Sequence, residues 1–300
     1  MDDRPFRGSA AIARGVLTRG DLRSGRYHQV FRDVYVAASG EPLDLTTRSC
    51  AAFLLVERTG ALAGYSAAEL LGTSCGPRDA PAEIVSVGTG IRPRPGLVVH
   101  RDRLPDTDVW TAQGCRVTHP LRTAWDLARR LELTEAVVAV DALARRGRFD
   151  PSLLLASCIN RPGRRGSRRL GEIVSLADQR AESPMETRLR LLLLRYGLPP
   201  PAVQFELLDA YGFVLARFDL AYPGLRLAIE YDGVEPHRQR RIQDNRRDMA
   251  VAELSWETMR FGYEDVWDTP RHTAERVHRM ITARQRLLIP AVTPPSRAVR

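Results

Sequence analysis

Residues 217–233, RFDLAYPGLRLAIEYDG, decide the fold of the C-terminal third of this 300-residue chain. Two short apolar runs flank a Pro-Gly pair, and its placement within residues 222–225 is typical of a type II turn. The turn predicts a β-hairpin in which Asp219 pairs with Ala228. Side chains alternate between the two faces of a strand, so the sequence also predicts which residues share a face. One face would carry Asp219, Ala228, Glu230 and Asp232, and the core face would carry Phe218, Leu220, Leu227, Ile229 and Tyr231.

The acidic side chains of this hairpin predict a metal site. Asp and Glu are poor strand formers, and burying a carboxylate costs several kcal/mol unless it is paired or binds a cation. Diagonal neighbours across a hairpin lie roughly 7–8 Å apart, which brings Asp219 and Glu230 within reach of one ion. The alternative is an edge hairpin whose acidic face is simply hydrated.

A series of short motifs surrounds the hairpin in a fixed order. They are residues 183–186 (SPME), Asp219, residues 230–233 (EYDG), His237, residues 244–247 (DNRR) and residues 256–261 (WETMRF). Over about residues 180–285 this order resembles the very-short-patch-repair (Vsr) branch of the PD-(D/E)XK nucleases. The resemblance implies a restriction-endonuclease-like, three-layer α/β domain. It also implies hydrolysis of DNA phosphodiester bonds with Mg²⁺ or Mn²⁺.

The resemblance assigns roles to individual residues of this chain. Asp219 and Glu230 match the metal-binding acids, and Glu186 matches an acid on the preceding helix. The implied catalytic residues are Glu186, Asp219, Glu230, Asp232 and His237. Each also has a structural explanation: Glu186 completes a capping box with Ser183, Asp232 suits a strand-end turn, and His237 suits a solvated helix start.

The chain departs from the nuclease pattern at one position. The superfamily has Lys two residues after the second acid, where this chain has Asp232, and the chain contains no lysine at all. Arginine keeps its proton in proteins and cannot serve as a general base. A bound metal or His237 would have to activate the attacking water. Two alternatives therefore stay open: an active nuclease, or a degenerate one that only binds DNA.

Arginine-rich segments predict contacts with phosphate. Residues 237–255 read as a helix with arginines around an apolar stripe, and residues 161–169 form a Gly-, Pro- and Arg-rich break. The predicted nucleic-acid contacts are Arg240, Arg241, Arg246, Arg247, Arg164 and Arg165. The alternatives are a solvated charged helix face and an ordinary linker.

The N-terminal segment has the outline of a winged helix-turn-helix. Two short helices precede an alternating stretch at residues 27–36, and Thr18 is placed to cap the second helix. Residues 5–40 resemble the N-terminal domain of AbiEi-type antitoxins and regulators, and the likeness continues through residues 47–71. It implies phosphate contacts by Arg14, Arg19, Arg23 and Arg26. The alternative to DNA binding is a small structural domain whose arginines are ordinary surface residues.

Composition favours an acidic partner. The formal net charge is +9 and the pI about 10.0, for which nucleic acid is the commonest partner class. The cysteines are too scattered for a zinc cluster and predict reduced thiols. Gly88 and Gly90 lack the third glycine and helix of a phosphate-binding loop. With no apolar signal core or membrane-length run, a cytoplasmic protein without membrane contact is expected.

Together these observations predict a chain of α/β (α+β) class. The expected divisions are a winged-helix, AbiEi-like module at residues 1–75, a mixed α/β region at 76–158, a basic linker at 159–180, a nuclease domain at 181–290 and a flexible tail at 291–300. The predicted function is a metal-dependent DNA endonuclease in DNA repair or phage defence. The alternative is a non-enzymatic DNA-binding regulator or antitoxin-like protein with a degenerate nuclease fold. A protein partner in a defence or toxin–antitoxin system is also expected.

Overall fold

The chain forms two compact units, Met1–Gln179 and Arg180–Arg300. The computed structural model describes residues 4–57, 59–88, 90–160, 167–233 and 240–288. Both units combine helices with antiparallel and mixed sheets, so the predicted α+β class is confirmed. None of the helices within these described ranges is long and apolar enough to cross a membrane.

The first unit begins with a small helix-and-sheet module. Its elements are β1 (Phe6–Arg7), α1 (Gly8–Ala13), α2 (Arg19–Arg23), β2 (Tyr27–Phe31) and β3 (Val34–Ala37). The strands form an antiparallel sheet in the order β1-β3-β2. Thr18 caps α2 as predicted: its hydroxyl accepts a hydrogen bond from the backbone N–H of Asp21, whose carboxylate accepts one from the N–H of Thr18.

A five-stranded mixed sheet and its helices complete this unit. The elements are α3 (Leu45–Val56), β4 (Ala61–Leu62), α4 (Gly64–Leu70), β5 (Ala82–Ser86), β6 (Leu97–Arg101), β7 (Val109–Ala112), β8 (Cys115–Thr118), α5 (Pro120–Ala128), α6 (Leu133–Gly147), α7 (Leu153–Asn160) and α8 (Leu170–Leu176). The strand order is β6-β5-β4-β8-β7. Leu62, Ile84 and Trp125 are fully buried in its core.

Two of the predicted domain limits fall within packed structure. β4 pairs with both β5 and β8, so a limit between residues 75 and 76 lies inside the sheet. Within the predicted linker at 159–180, α8 buries Leu170 and Ile173 completely, because its apolar side chains pack into the first unit. That part of the segment is therefore a core helix. Residues 161–166 and the predicted tail at 291–300 lie outside the described residues, and the remaining limits stay predictions.

The second unit is a four-stranded sheet with helices on both faces. Its elements are α9 (Pro184–Arg195), β9 (Ala202–Leu208), β10 (Val214–Tyr222), β11 (Leu227–Tyr231), α10 (Arg240–Glu253), β12 (Glu257–Phe261), α11 (Tyr263–Trp267) and α12 (Pro270–Leu288). The strand order is β12-β11-β10-β9; β9, β10 and β11 are antiparallel, and β12 is parallel to β11. Leucines of α9 and apolar residues of α12 cover one face, whereas Val251 of α10 covers the other.

The hairpin of β10 and β11 forms with a different register from the predicted one. Ala221 pairs with Ala228, instead of Asp219 with Ala228, because a short 3₁₀ turn at Pro223–Leu225 replaces the type II turn. Arg226 adopts the left-handed conformation at its end, with φ of 49°. A shift of two residues does not by itself exchange the two faces, and Asp219 and Glu230 remain close enough for their charges to interact.

The prediction of a single core face was wrong for Phe218. Leu220, Leu227 and Ile229 pack with α9 and α12, but Phe218 packs on the opposite side with Ala221, Ala228 and Trp256. Its ring centroid lies 5.2 Å from that of Trp256. The alternation of β10 therefore breaks at Asp219, where Gln204 on the neighbouring strand β9 adopts a left-handed conformation with φ of 51°.

Candidate functional site

Three carboxylates from three elements form an acidic cluster in the second unit: Glu186 of α9, Asp219 of β10 and Glu230 of β11. The fold places Glu186 in the first turn of α9, where the Ser183 hydroxyl accepts a hydrogen bond from its backbone N–H at 3.2 Å. The Glu186 carboxylate accepts hydrogen bonds at 2.8 Å from the backbone N–H of Glu182 and the side chain of Gln204. The predicted capping box is therefore half formed, with the carboxylate turned to Glu182 and Gln204.

Asp219 is the most perturbed member of the acidic cluster. Burial, together with the negative charges of Glu186 and Glu230, raises its pKa to about 6. A hydrogen bond from the backbone N–H of Tyr231, 2.9 Å from Oδ2, and the positive charge of Arg247 act in the opposite direction. At neutral pH the acidic cluster therefore holds an ionised carboxylate against electrostatic repulsion.

Glu230 is engaged by two guanidinium groups. Arg247 donates a hydrogen bond to its Oε1, and Nε of Arg260 lies 3.3 Å from Oε2. Arg247 also donates to the carbonyl oxygen of Arg217 at 3.0 Å, and its guanidinium lies 5.5 Å from the centroid of the Phe218 ring. Arg247 was predicted to contact phosphate, whereas in this arrangement it neutralises an acid of the cluster.

These pairings bear on the predicted Mg²⁺ or Mn²⁺ site. Within the described part of the chain, no group of three or more His, Cys, Asp and Glu residues is placed to hold a metal ion. The carboxylates do not fit a metal site as they stand, because a cation shared by Asp219 and Glu230 would have to displace Arg247. The metal-ligand role of these two residues stays a prediction.

The remaining predicted site residues lie apart from the cluster or outside the described structure. Asp232 is exposed just beyond β11, where its backbone N–H donates to the carbonyl oxygen of Phe261 and its charge acts on Arg260. Other predicted residues lie outside the described residues or side chains: His237, Arg164, Arg165, Arg240, Arg241 and Arg246. Their catalytic and phosphate-binding roles stay predictions.

The N-terminal module carries a separate basic surface. Residues 4–37 contain seven arginines against two aspartates. Arg19 and Arg23 of α2 are exposed, and neither has an acidic partner among the residues that the structure describes. Arg26 differs, because Asp21 binds its guanidinium. Arg32 is exposed at the β2–β3 turn, and sequence analysis missed it; its place at the tip of the predicted wing was the available signal.

Sequence analysis also missed a buried charge network in the first unit. Arg122 of α5 lies within 2.8 Å of Asp102, 2.6 Å of Asp108 and 2.7 Å of Asp126, and only 4% of its side chain is exposed. Burying a guanidinium requires compensating charge of this kind. The i, i+4 spacing of Arg122 and Asp126 was visible in the sequence, but Asp102 and Asp108 come from preceding segments that only the fold brings close.

Comparisons with known proteins place a family match on the first unit. The model of the AbiEi antitoxin C-terminal domain matches residues 60–176. Uncharacterised proteins of Mycobacterium tuberculosis, one from strain CDC 1551 / Oshkosh and one from strain ATCC 25618 / H37Rv, are each 33% identical to this chain over 194 residues. The aligned region covers 64% of this chain and 70% of each relative. No solved structure matches the chain.

The family match lies mostly outside the segments of the predicted AbiEi resemblance, so the likeness of residues 5–40 stays a prediction. Sequence analysis placed the likeness at residues 5–40 and 47–71 and compared it with the N-terminal domain of those proteins. The matching family model instead describes their C-terminal domain, and it covers the five-stranded sheet and the helices up to α8. It does not extend into the second unit, so the resemblance to Vsr nucleases stays unsupported.

Proposed function

The chain belongs to the family of these mycobacterial relatives and matches the AbiEi antitoxin C-terminal domain, and from this premise we propose that it is a DNA-binding, antitoxin-like regulator. The match over residues 60–176 is the observation that carries the proposal. It favours a role in a toxin–antitoxin or abortive-infection system without requiring that the chain cleave anything. This function corresponds to the alternative drawn from the sequence.

The basic N-terminal module is the proposed DNA contact. Arg19 and Arg23 stand one turn apart on α2, so their side chains lie on the same side of that helix. Their guanidinium groups have no acidic partner among the described residues, and Arg32 adds a cation at the β2–β3 turn. Guanidinium groups bind phosphate oxygens in a bidentate manner, and such contacts supply most sequence-independent affinity.

DNA binding is tested by fluorescence anisotropy. The probe is a duplex from immediately upstream of the chain's own coding sequence, with a shuffled duplex beside it. Arg19→Gln/Arg23→Gln should weaken binding about tenfold or more and lower the slope of log K against log salt by about two, one for each lost phosphate contact. Arg92→Gln/Arg94→Gln is the matched control, since it removes two exposed arginines elsewhere. Equal affinity and slope in both double variants would contradict this assignment.

The antitoxin part of the proposal needs a separate test. The chain is expressed together with the protein encoded beside it, and growth is followed with each alone and with both. We expect the neighbouring protein to arrest growth alone and the pair to restore it. A neighbouring protein without toxicity, or toxicity that this chain leaves unchanged, would remove antitoxin action from the proposed function.

A second candidate function, a metal-dependent endonuclease, is favoured by the acidic cluster. Asp219 is buried beside Glu186 and Glu230, whose charges contribute to its raised pKa, and a cation would relieve that repulsion if it displaced Arg247 from Glu230. A plasmid-nicking assay with Mg²⁺ or Mn²⁺ decides between the two functions. The variants Asp219→Ala and Glu230→Ala are compared with Glu206→Ala, an exposed acid of the same sheet. If the wild type cleaves the plasmid and only Asp219→Ala and Glu230→Ala lose that activity, the protein is a nuclease and the regulator proposal fails.

A further inference from the structure

A cavity of about 700 Å³ opens in the first unit beside β5, β6 and α5. Its size falls in the range of about 300–1,000 Å³ that is typical of small-molecule sites. One wall is apolar and contains Ala63, Val85 and Val99. The rest of the lining is dominated by charge, with five arginines against two aspartates. The cavity is therefore amphipathic, with an apolar wall and a cationic one.

The inner part of the cationic wall is held in place by several carboxylates. Asp126, almost buried, lies 2.7 Å from Arg122, 3.1 Å from Arg129 and 3.5 Å from Arg130. Arg130 also lies 2.6 Å from Nε2 of His100. Asp102 and Asp108 also pair with Arg122, and Glu83 lies 3.4 Å from Arg130, so these inner guanidinium groups are already compensated by carboxylates.

The outer part of the cationic wall is not neutralised. Arg101 is exposed at the end of β6, and Arg169 precedes α8 and donates a hydrogen bond to the carbonyl oxygen of Leu131 at 3.3 Å. Neither arginine has a carboxylate partner among the residues that the structure describes. Both line the cavity, so two guanidinium groups face a space large enough for an anionic ligand.

We propose that this pocket binds a nucleoside polyphosphate. Arg101 and Arg169 would bind the phosphates through paired N–H donors, which match phosphate oxygens in geometry and charge. Val99, the partly exposed apolar residue of the lining, would pack against the base, for which an apolar surface is suitable. The chain has no glycine-rich phosphate loop, and here side-chain guanidinium groups take the place of its backbone N–H groups. A regulator with such a pocket would respond to a small-molecule signal.

Isothermal titration calorimetry on the full chain tests the proposal with ATP, pyrophosphate and adenosine as probes. ATP should bind most tightly, pyrophosphate more weakly, and adenosine without measurable heat. Arg101→Gln/Arg169→Gln should weaken ATP binding at least about tenfold, since charge-assisted hydrogen bonds are lost. Arg92→Gln/Arg94→Gln removes the same charge outside the pocket and should leave ATP affinity unchanged.

Four results would overturn the proposal. They are no binding of ATP, adenosine binding as tight as that of ATP, pyrophosphate binding as tight as that of ATP, and equal loss of affinity in both double variants. A short DNA duplex added as competitor separates the two sources of phosphate. If duplex DNA displaces ATP from the wild-type chain and loses affinity in Arg101→Gln/Arg169→Gln, the pocket binds backbone phosphate and the small-molecule assignment fails. Failure of DNA to compete supports the nucleotide assignment.

Discussion

Replacing Asp219 with Asn should stabilise this protein at neutral pH. Asp219 is largely buried beside Glu186 and Glu230, which raises its pKa from 3.8 to about 6. The folded chain therefore binds a proton at this site more tightly than the unfolded chain does. Asparagine has nearly the same shape, carries no charge at any pH, and its side-chain oxygen can still accept the hydrogen bond from the N–H of Tyr231.

The magnitude follows from proton linkage. A rise of about two pKa units corresponds to about 3 kcal/mol at about 1.4 kcal/mol per unit, and partial contact with solvent reduces this to about 1–3 kcal/mol. Below about pH 4 the carboxyl is protonated in both states and costs nothing. As the pH rises through about 6, the proton is lost from the folded state and the full cost appears. Wild type and Asp219→Asn should therefore differ at pH 8 and converge near pH 4.

The assay is urea unfolding followed by tryptophan fluorescence, from pH 4 to pH 8.5. The quantity compared at each pH is the difference in free energy of unfolding between variant and wild type, which cancels the contribution of titrating groups that do not interact with Asp219. Glu206→Gln is the control, because Glu206 is an exposed acid on the neighbouring strand β9. It should change stability by less than about 0.5 kcal/mol at every pH.

Two results would refute the reasoning about Asp219. A difference that does not depend on pH would mean that Asp219 titrates at its ordinary value and that the carboxylates do not interact. A variant less stable than wild type at pH 8 would mean that the negative charge of Asp219 is stabilising, as in a carboxylate paired with a cation.

Three further predictions concern other parts of the structure. Arg122→Leu removes the guanidinium shared by Asp102, Asp108 and Asp126 and should lower the free energy of unfolding in urea by about 3–5 kcal/mol; a loss under about 1 kcal/mol would contradict the network. A hydrogen bond from Cys115 lowers the pKa of the Cys50 thiol, so iodoacetamide should modify Cys50 with a midpoint below about pH 8.5, and an ordinary midpoint would count against that contact. Arg247→Gln removes a positive charge that lowers the pKa of Asp219, so the pKa of Asp219 measured by NMR titration should rise above about 6. An unchanged pKa would show that Arg247 does not interact with Asp219.

Local pattern was sufficient to predict the hairpin and the shared face of its acids. Alternation in residues 217–233 fixes which side chains lie together, and a register error of two residues does not change that. The type of turn was not predictable, because Pro-Gly also suits the 3₁₀ turn that forms. This turn is longer than the predicted type II turn, and its added length depends on Arg226 adopting a left-handed conformation. Phe218 was misplaced because the alternation breaks at Asp219, beside the left-handed Gln204 of β9, and residues 217–233 carry no signal of that break.

Residues whose partners are distant in sequence were the least predictable. Ser66 illustrates the problem, since its spacing to Glu69 predicts a capping box. In the structure α4 begins at Gly64, three residues before the start that a Ser66 cap predicts, and the Ser66 hydroxyl is buried between the hydroxyl of Ser49 and the backbone N–H of Glu83. A polar side chain takes the partner that compensates its burial, and that partner is set by tertiary packing.

The same limit explains why the acidic cluster and the basic helix were assigned separate roles. Sequence analysis predicted that Glu230 binds a metal ion and that Arg247 binds a phosphate, because each residue type suits that ligand. The fold brings the two together, and a guanidinium bound to Glu230 already supplies positive charge where a cation was expected. A cation at Glu230 would have to release Arg247, whereas a DNA phosphate would have to compete with Glu230 for it. Either ligand therefore breaks the same ion pair, so Glu230→Gln should weaken metal binding but strengthen phosphate binding by Arg247. Whether Glu230→Gln weakens or strengthens ligand binding therefore distinguishes the nuclease from the DNA-binding regulator.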